Sequence, residues 1–133
     1  VPGGVGYYNG GAVVTNSTSV ITAADGNPNA VYFGFDSSEI DAQGQAVLNQ
    51  QAQFLQANPS ARVAIAGHTD ERGSREYNLA LGERRAQAAQ AYLATSGVSA
   101  SRMEAISYGE DQPADPGHDE SAWAKNRRAE VSY

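Results

Sequence analysis

Hydrophobic and polar positions along the chain switch between two periods. "VYFGFD" at residues 31–36 is a β-branched and aromatic run stopped by Asp36, Ser37 and Ser38, the pattern of a buried strand ending in a turn. Ile40, Val47, Leu48, Phe54 and Leu55 then recur on one helical face until Asn58-Pro59, where proline cannot continue a helix. "RVAIAGHTD" at 62–70 predicts a second strand with Val63 and Ile65 on one face, and Gly67 marks a close backbone approach. Ser74 is placed to cap a long helix with Glu76 in its first turn, running to Thr95 before Gly97 ends it. "RMEAISYG" supplies a third strand. A loop with Pro113, Asp115, Pro116 and Gly117 follows, then a short helix around Trp123 and a last strand, "RAEVSY". Alternating strands and helices predict an α/β sandwich, a sheet covered on at least one face, and leave the strand order open.

Composition divides the chain unequally. Residues 1–30 hold six of the fourteen glycines and a single charged residue, Asp25, which fits a flexible tail or linker; residues 31–133 carry the periodic pattern. Within the tail, Val13 to Ile21 is β-branched enough to pair locally as a strand. With 133 residues and 41% hydrophobic content the chain can bury one core, so one domain plus a tail is expected. A net charge of −6 offers no broad basic face, which argues against nucleic acid as a partner. No apolar run approaches the ~20 residues of a membrane span, and no cysteine is present for disulfide or thiolate chemistry.

Four stretches, "VYFGFD", "GHTDERGSREYNLALGERRA", "SYGEDQP" and "GHDESAWAKNRRAEVSY", occur in this order over residues 31–133. Together they resemble the OmpA-like peptidoglycan-binding domain family, most closely its lipoprotein branch. The resemblance implies a βαβαβ(αβ) fold with a mixed four-stranded sheet packed by helices. It also implies non-covalent capture of the meso-diaminopimelate of the peptidoglycan stem peptide, with no catalytic residue, metal or cofactor. In that branch the domain tethers the outer membrane to the wall and docks the periplasmic propeller protein TolB. The family carries a lipid-modified cysteine ahead of the domain; this chain has no cysteine, so any membrane anchor lies outside these residues.

Diaminopimelate presents a free centre bearing an ammonium and a carboxylate, so its receptor needs an anion and a planar cation. Asp70, where a strand hands over to a loop, and Arg85, whose side chain leans back toward the helix N-terminus, fit those roles. Asn78, Leu81 and Arg85 share a helical face, adding an amide and an aliphatic wall. Thr69 adjoins Asp70, and Phe35 and Asp36 come to the same edge if the first two strands are neighbours. Arg127 is placed to brace Asp36 or Asp70, or to meet the ligand carboxylate. If Asp70 and Arg85 serve the ligand alone, their replacement should leave the fold intact.

Structural readings compete at each position. Asp70 can cap a helix or fix a turn, and Arg85 can be a solvated helix residue. His68 reads as a core or edge histidine, because only His118 remains to join it at a metal. Tyr77, Leu81, Ala88 and Tyr92 form a stripe that reads as core packing. A wall hydrolase would need Asp70 paired with Glu71, or His68 and Asp70 activating Ser74. Adjacent strand residues diverge, and no G-x-S-x-G elbow is present.

Overall fold

The computed structural model describes residues 28–133, together with a short antiparallel pair, β1 (Tyr8–Asn9) and β2 (Gly11–Ala12). The local strand expected over Val13–Ile21, and most of the expected tail, lie outside the described residues. β3 (Ala30–Tyr32) opens the domain and is shorter than the run "VYFGFD". Phe33 remains buried, but its carbonyl is taken by the Arg127 guanidinium at 2.8 Å rather than by a strand neighbour. The backbone then turns away from the sheet, reaching positive φ (56°) at Asp36.

Asp41 caps α1 (Ala42–Ala57), its side chain accepting from the Gly44 amide, so Ile40 precedes the helix and packs on the core from outside it. No basic residue stands in the last turn of α1. Its terminal carbonyls are met from a distance by Arg102, which donates to Leu55, Asn58 and Ala61. β4 (Val63–His68) leads to α2 (Arg75–Thr95), capped by the Ser74 hydroxyl as expected and ended at Gly97, where φ is 100°. A 3-10 turn at Ala100–Arg102 precedes β5 (Met103–Gly109), and α3 (Glu120–Asn126) runs into β6 (Arg128–Ser132).

The strands β3 to β6 form one mixed sheet of order β3-β6-β4-β5, in which β4 and β5 are parallel and the other pairs antiparallel. This is the α/β arrangement expected. The last strand inserts between the first two strands of the domain, so β3 and β4 are not neighbours; β6 joins them. α1 and α2 pack together over the face that carries Val31, Val63, Ile65 and Val131, closing the core with Val47, Leu48, Leu55, Ala86, Ala89 and Leu93.

Gly67 sets how closely α2 sits on β4. A Cβ there would lie 1.7 Å from the Gly82 carbonyl oxygen, so the glycine is what permits the contact. Ser107 on β5 fastens the same turn of helix by donating to the Leu79 carbonyl at 2.7 Å. Ala64, Ala66 and His68 point to the opposite face, where the His68 ring stacks on Tyr108 with centroids 5.6 Å apart. His68 is buried with neither ring nitrogen hydrogen-bonded, and burial, followed by the charge of Arg128, pushes its imidazole down to about 4.

Two stability measurements follow from these contacts. Gly67→Ala is expected to cost about 3 kcal/mol by overpacking, read as a lower urea midpoint; a parental midpoint would mean that α2 is not seated this closely. His68 stays neutral in the fold while the unfolded chain takes up a proton below its ordinary value, so stability falls as pH drops from 6.5 toward 4. That loss should be on the order of 3 kcal/mol and should shrink in His68→Phe; equal acid sensitivity of parent and variant would contradict it.

Candidate functional site

Beyond β4 the chain enters a loop held from both sides. The Thr69 amide donates to the Gly109 carbonyl and its hydroxyl to the Asp70 carbonyl. Asn78, on the first buried turn of α2, donates to the carbonyls of Asp70 and Arg72 and to the Glu110 carboxylate. The loop is thereby fixed to the helix that follows it.

Asp70 is 4% exposed, and the helix cap belongs to Ser74. One oxygen of the Asp70 carboxylate accepts from the Arg72 amide at 3.0 Å and the other from the Arg72 guanidinium at 2.7 Å. Arg127 approaches the second oxygen at 3.6 Å. Burial raises its proton affinity, but the Arg72 hydrogen bonds and the charges of Arg72 and Arg127 outweigh that and hold it below the ordinary carboxylate value.

Arg85 is 1% exposed. Its guanidinium donates to the carbonyls of Ser37 (2.8 Å), His68 (2.8 Å) and Gly34 (3.2 Å), which leaves two of its five N–H donors for other acceptors. Burial pushes it down to about 10, so it remains a cation at neutral pH. Arg85 therefore joins the end of β4 to the loop after β3 as well as facing the cavity. The expectation that its replacement would spare the fold does not survive this geometry.

A cavity of about 180 Å³ opens between these loops, lined by Phe35, Asp36, Thr69, Asp70, Asn78, Leu81 and Arg85 together with Arg72, Gly73 and Tyr77. The structure thus brings together seven of the eight residues singled out in the sequence. Arg127 stands behind the cavity: it braces Asp70, donates to Phe33 and pairs with Glu120 at 2.9 Å, and makes no contact with Asp36 among the described residues. Tyr77 departs from the expected core stripe: it is 45% exposed and donates its hydroxyl to Asp36. Of that stripe Leu81 is buried and Tyr92 packs partly on the core, while the buried face of α2 runs on through Asn78, Gly82, Arg85, Ala86, Ala89 and Leu93. Arg72 was missed because its partners are remote: its guanidinium lies 4.1 Å from the Phe35 ring centre and 4.2 Å from that of Trp123.

Glu71 diverges from Asp70, meeting the His118 ring at 2.8 Å and the Trp123 indole at 2.9 Å. Ser74 is engaged as a cap and the His68 ring stacks on Tyr108, so neither Asp70 with Glu71 nor His68 with Asp70 and Ser74 is brought together. Among the described residues no group of three or more His, Asp or Glu is placed to hold a metal ion. Arg85→Ala leaves three carbonyls without their donor and should cost at least about 3 kcal/mol in urea unfolding, more than Asp70→Asn; the reverse order would contradict the bracing role.

The OmpA family pattern matches residues 32–127. The peptidoglycan-associated lipoprotein of Haemophilus influenzae is 51% identical over 105 residues, covering 79% of this chain and 69% of that protein. The crystal structure of the peptidoglycan-associated lipoprotein from Burkholderia pseudomallei superposes with a TM-score of 0.77 at 46% identity, over 85% of this chain and 98% of that one. The C-terminal domain of Helicobacter pylori MotB, at 23% identity and a TM-score of 0.71 over 77% of this chain and 81% of its own, shares the fold. On these matches the chain belongs to the OmpA family, within its peptidoglycan-associated lipoprotein branch.

Proposed function

We propose that this chain binds peptidoglycan without cleaving it, by holding the free zwitterionic centre of meso-diaminopimelate in the stem peptide. The observation that carries this reading is the small cavity lined by two carboxylates, Asp36 and Asp70, and by the buried guanidinium of Arg85. A ligand carrying both charge signs at one carbon matches that lining; a simple anion or cation matches half of it. Asp70, held as a carboxylate by Arg72, and Asp36, which accepts from the Tyr77 hydroxyl, receive the ammonium. The two N–H donors that Arg85 does not give to the backbone receive the carboxylate. Leu81 and Phe35 supply the apolar walls along the methylene chain.

A net charge of −6 provides no long-range attraction for an acidic wall fragment, so recognition is local. A stem peptide of ~25 heavy atoms at ~0.3 kcal/mol per atom gives roughly 7 kcal/mol, near micromolar affinity. That is weak for one site and adequate for a tether facing a polymer with many equivalent sites. We place the domain in the periplasm, joining the wall to an outer membrane anchored by lipid outside these residues. TolB of the Tol-Pal system is the protein partner on this reading, over a surface that overlaps the cavity, so stem peptide and TolB should compete.

Calorimetric titration tests the reading. A soluble stem peptide containing diaminopimelate should bind with micromolar affinity, and the same peptide with lysine in its place at least ~10-fold more weakly. Asp70→Asn should lose most of the binding. Equal binding of the two peptides, or no heat from either, would overturn the proposal.

A further inference from the structure

Arg72 supplies more hydrogen-bond donors than its surroundings accept. The Phe35 and Trp123 ring centres stand 4.1 and 4.2 Å from its guanidinium carbon, so a further partner meets the N–H groups these rings leave open. One edge nitrogen, Nη2, is given to Asp70 at 2.7 Å. The Glu120 carboxylate, at 3.9 Å from the same nitrogen, lies beyond hydrogen-bond distance. Nη1 has no hydrogen-bond acceptor among the described residues, and Nε is buried without one. Like Arg85, Arg72 stands on the cavity wall, and its side chain is 31% exposed, so a ligand can reach it.

We propose that Arg72 is a second anion-recognition point of the same site, taking a carboxylate of the wall peptide that lies outside the diaminopimelate centre. This rests on the peptidoglycan reading and extends it to the neighbouring residues of the peptide. A guanidinium packed against two rings and hydrogen-bonded to Asp70 is held in place, and its remaining N–H groups suit a carboxylate. The rings stabilise the cation without using its N–H groups, which leaves them to the ligand. A stem peptide offers two carboxylates of this kind, the α-carboxylate of the γ-linked glutamate before diaminopimelate and the C-terminal carboxylate after it. Amidation of either removes the charge and keeps the shape. The site would then discriminate between free-acid and amidated walls.

The alternative role for Arg72 is to pin Asp70 and nothing more. A coupling experiment separates the two. Three diaminopimelate peptides, the free acid, the glutamate α-amide and the C-terminal amide, are titrated into the parent chain, Arg72→Gln and Arg72→Lys. One of the two amides should bind the parent about tenfold more weakly than the acid. Arg72→Gln should bind acid and amide alike, and Arg72→Lys, which keeps the charge and loses the fork, should retain part of the difference. Amides that bind the parent as well as the acid does, or a penalty that persists undiminished in both variants, would overturn the proposal. Preference for diaminopimelate over lysine, measured alongside, shows whether the underlying function reading still stands when this extension fails.

Discussion

The Arg85 guanidinium is the point on which the site depends. It is a buried cation satisfied by three backbone carbonyls, two from the loop after β3 and one from the end of β4. Those segments are not sheet neighbours, because β6 lies between their strands. One shared donor thus ties the loop carrying Phe35 and Asp36 to the strand end that leads into Asp70. The same charge that holds the walls together faces the space between them, so stability and recognition are drawn from one side chain.

Arg127 repeats this logic one layer back. It donates to Phe33, stands 3.6 Å from Asp70 and pairs with Glu120 on α3. Asp70 is thus approached by Arg72 and Arg127, whose hydrogen bonds and charges keep it ionised despite burial. A carboxylate held in this way is preorganised for a ligand ammonium and needs little rearrangement on binding. The close seating of α2 on β4 at Gly67 and Gly82 completes the frame, since Asn78, Leu81 and Arg85 reach the cavity only from a helix at that height.

What the sequence made legible was local. The Ser74 cap, the Gly67 approach, the end of α2 at Gly97 and the shared face of Asn78, Leu81 and Arg85 all follow from spacing within one element. The features that escaped it depend on remote partners. "VYFGFD" leaves the sheet early because carbonyls of Phe33 and Gly34 are claimed by guanidiniums 94 and 51 positions away. Tyr77 reaches Asp36 across 41 positions, and Arg72 gains its place from two rings on separate elements. The insertion of β6 between β3 and β4 is set by the whole sheet, and no single segment announces it.

The most direct test of the central claim is to locate the ligand. Nuclear magnetic resonance of the labelled chain, with a diaminopimelate stem peptide added to saturation, reports both backbone amides and the arginine side-chain N–H groups. The account predicts contacts between the ligand's zwitterionic end and the groups of Asp36, Asp70 and Arg85, with the far end of β4 and β5, around Val63 and Met103, unchanged. Contacts centred elsewhere, with the Arg85 signals unmoved, would contradict it.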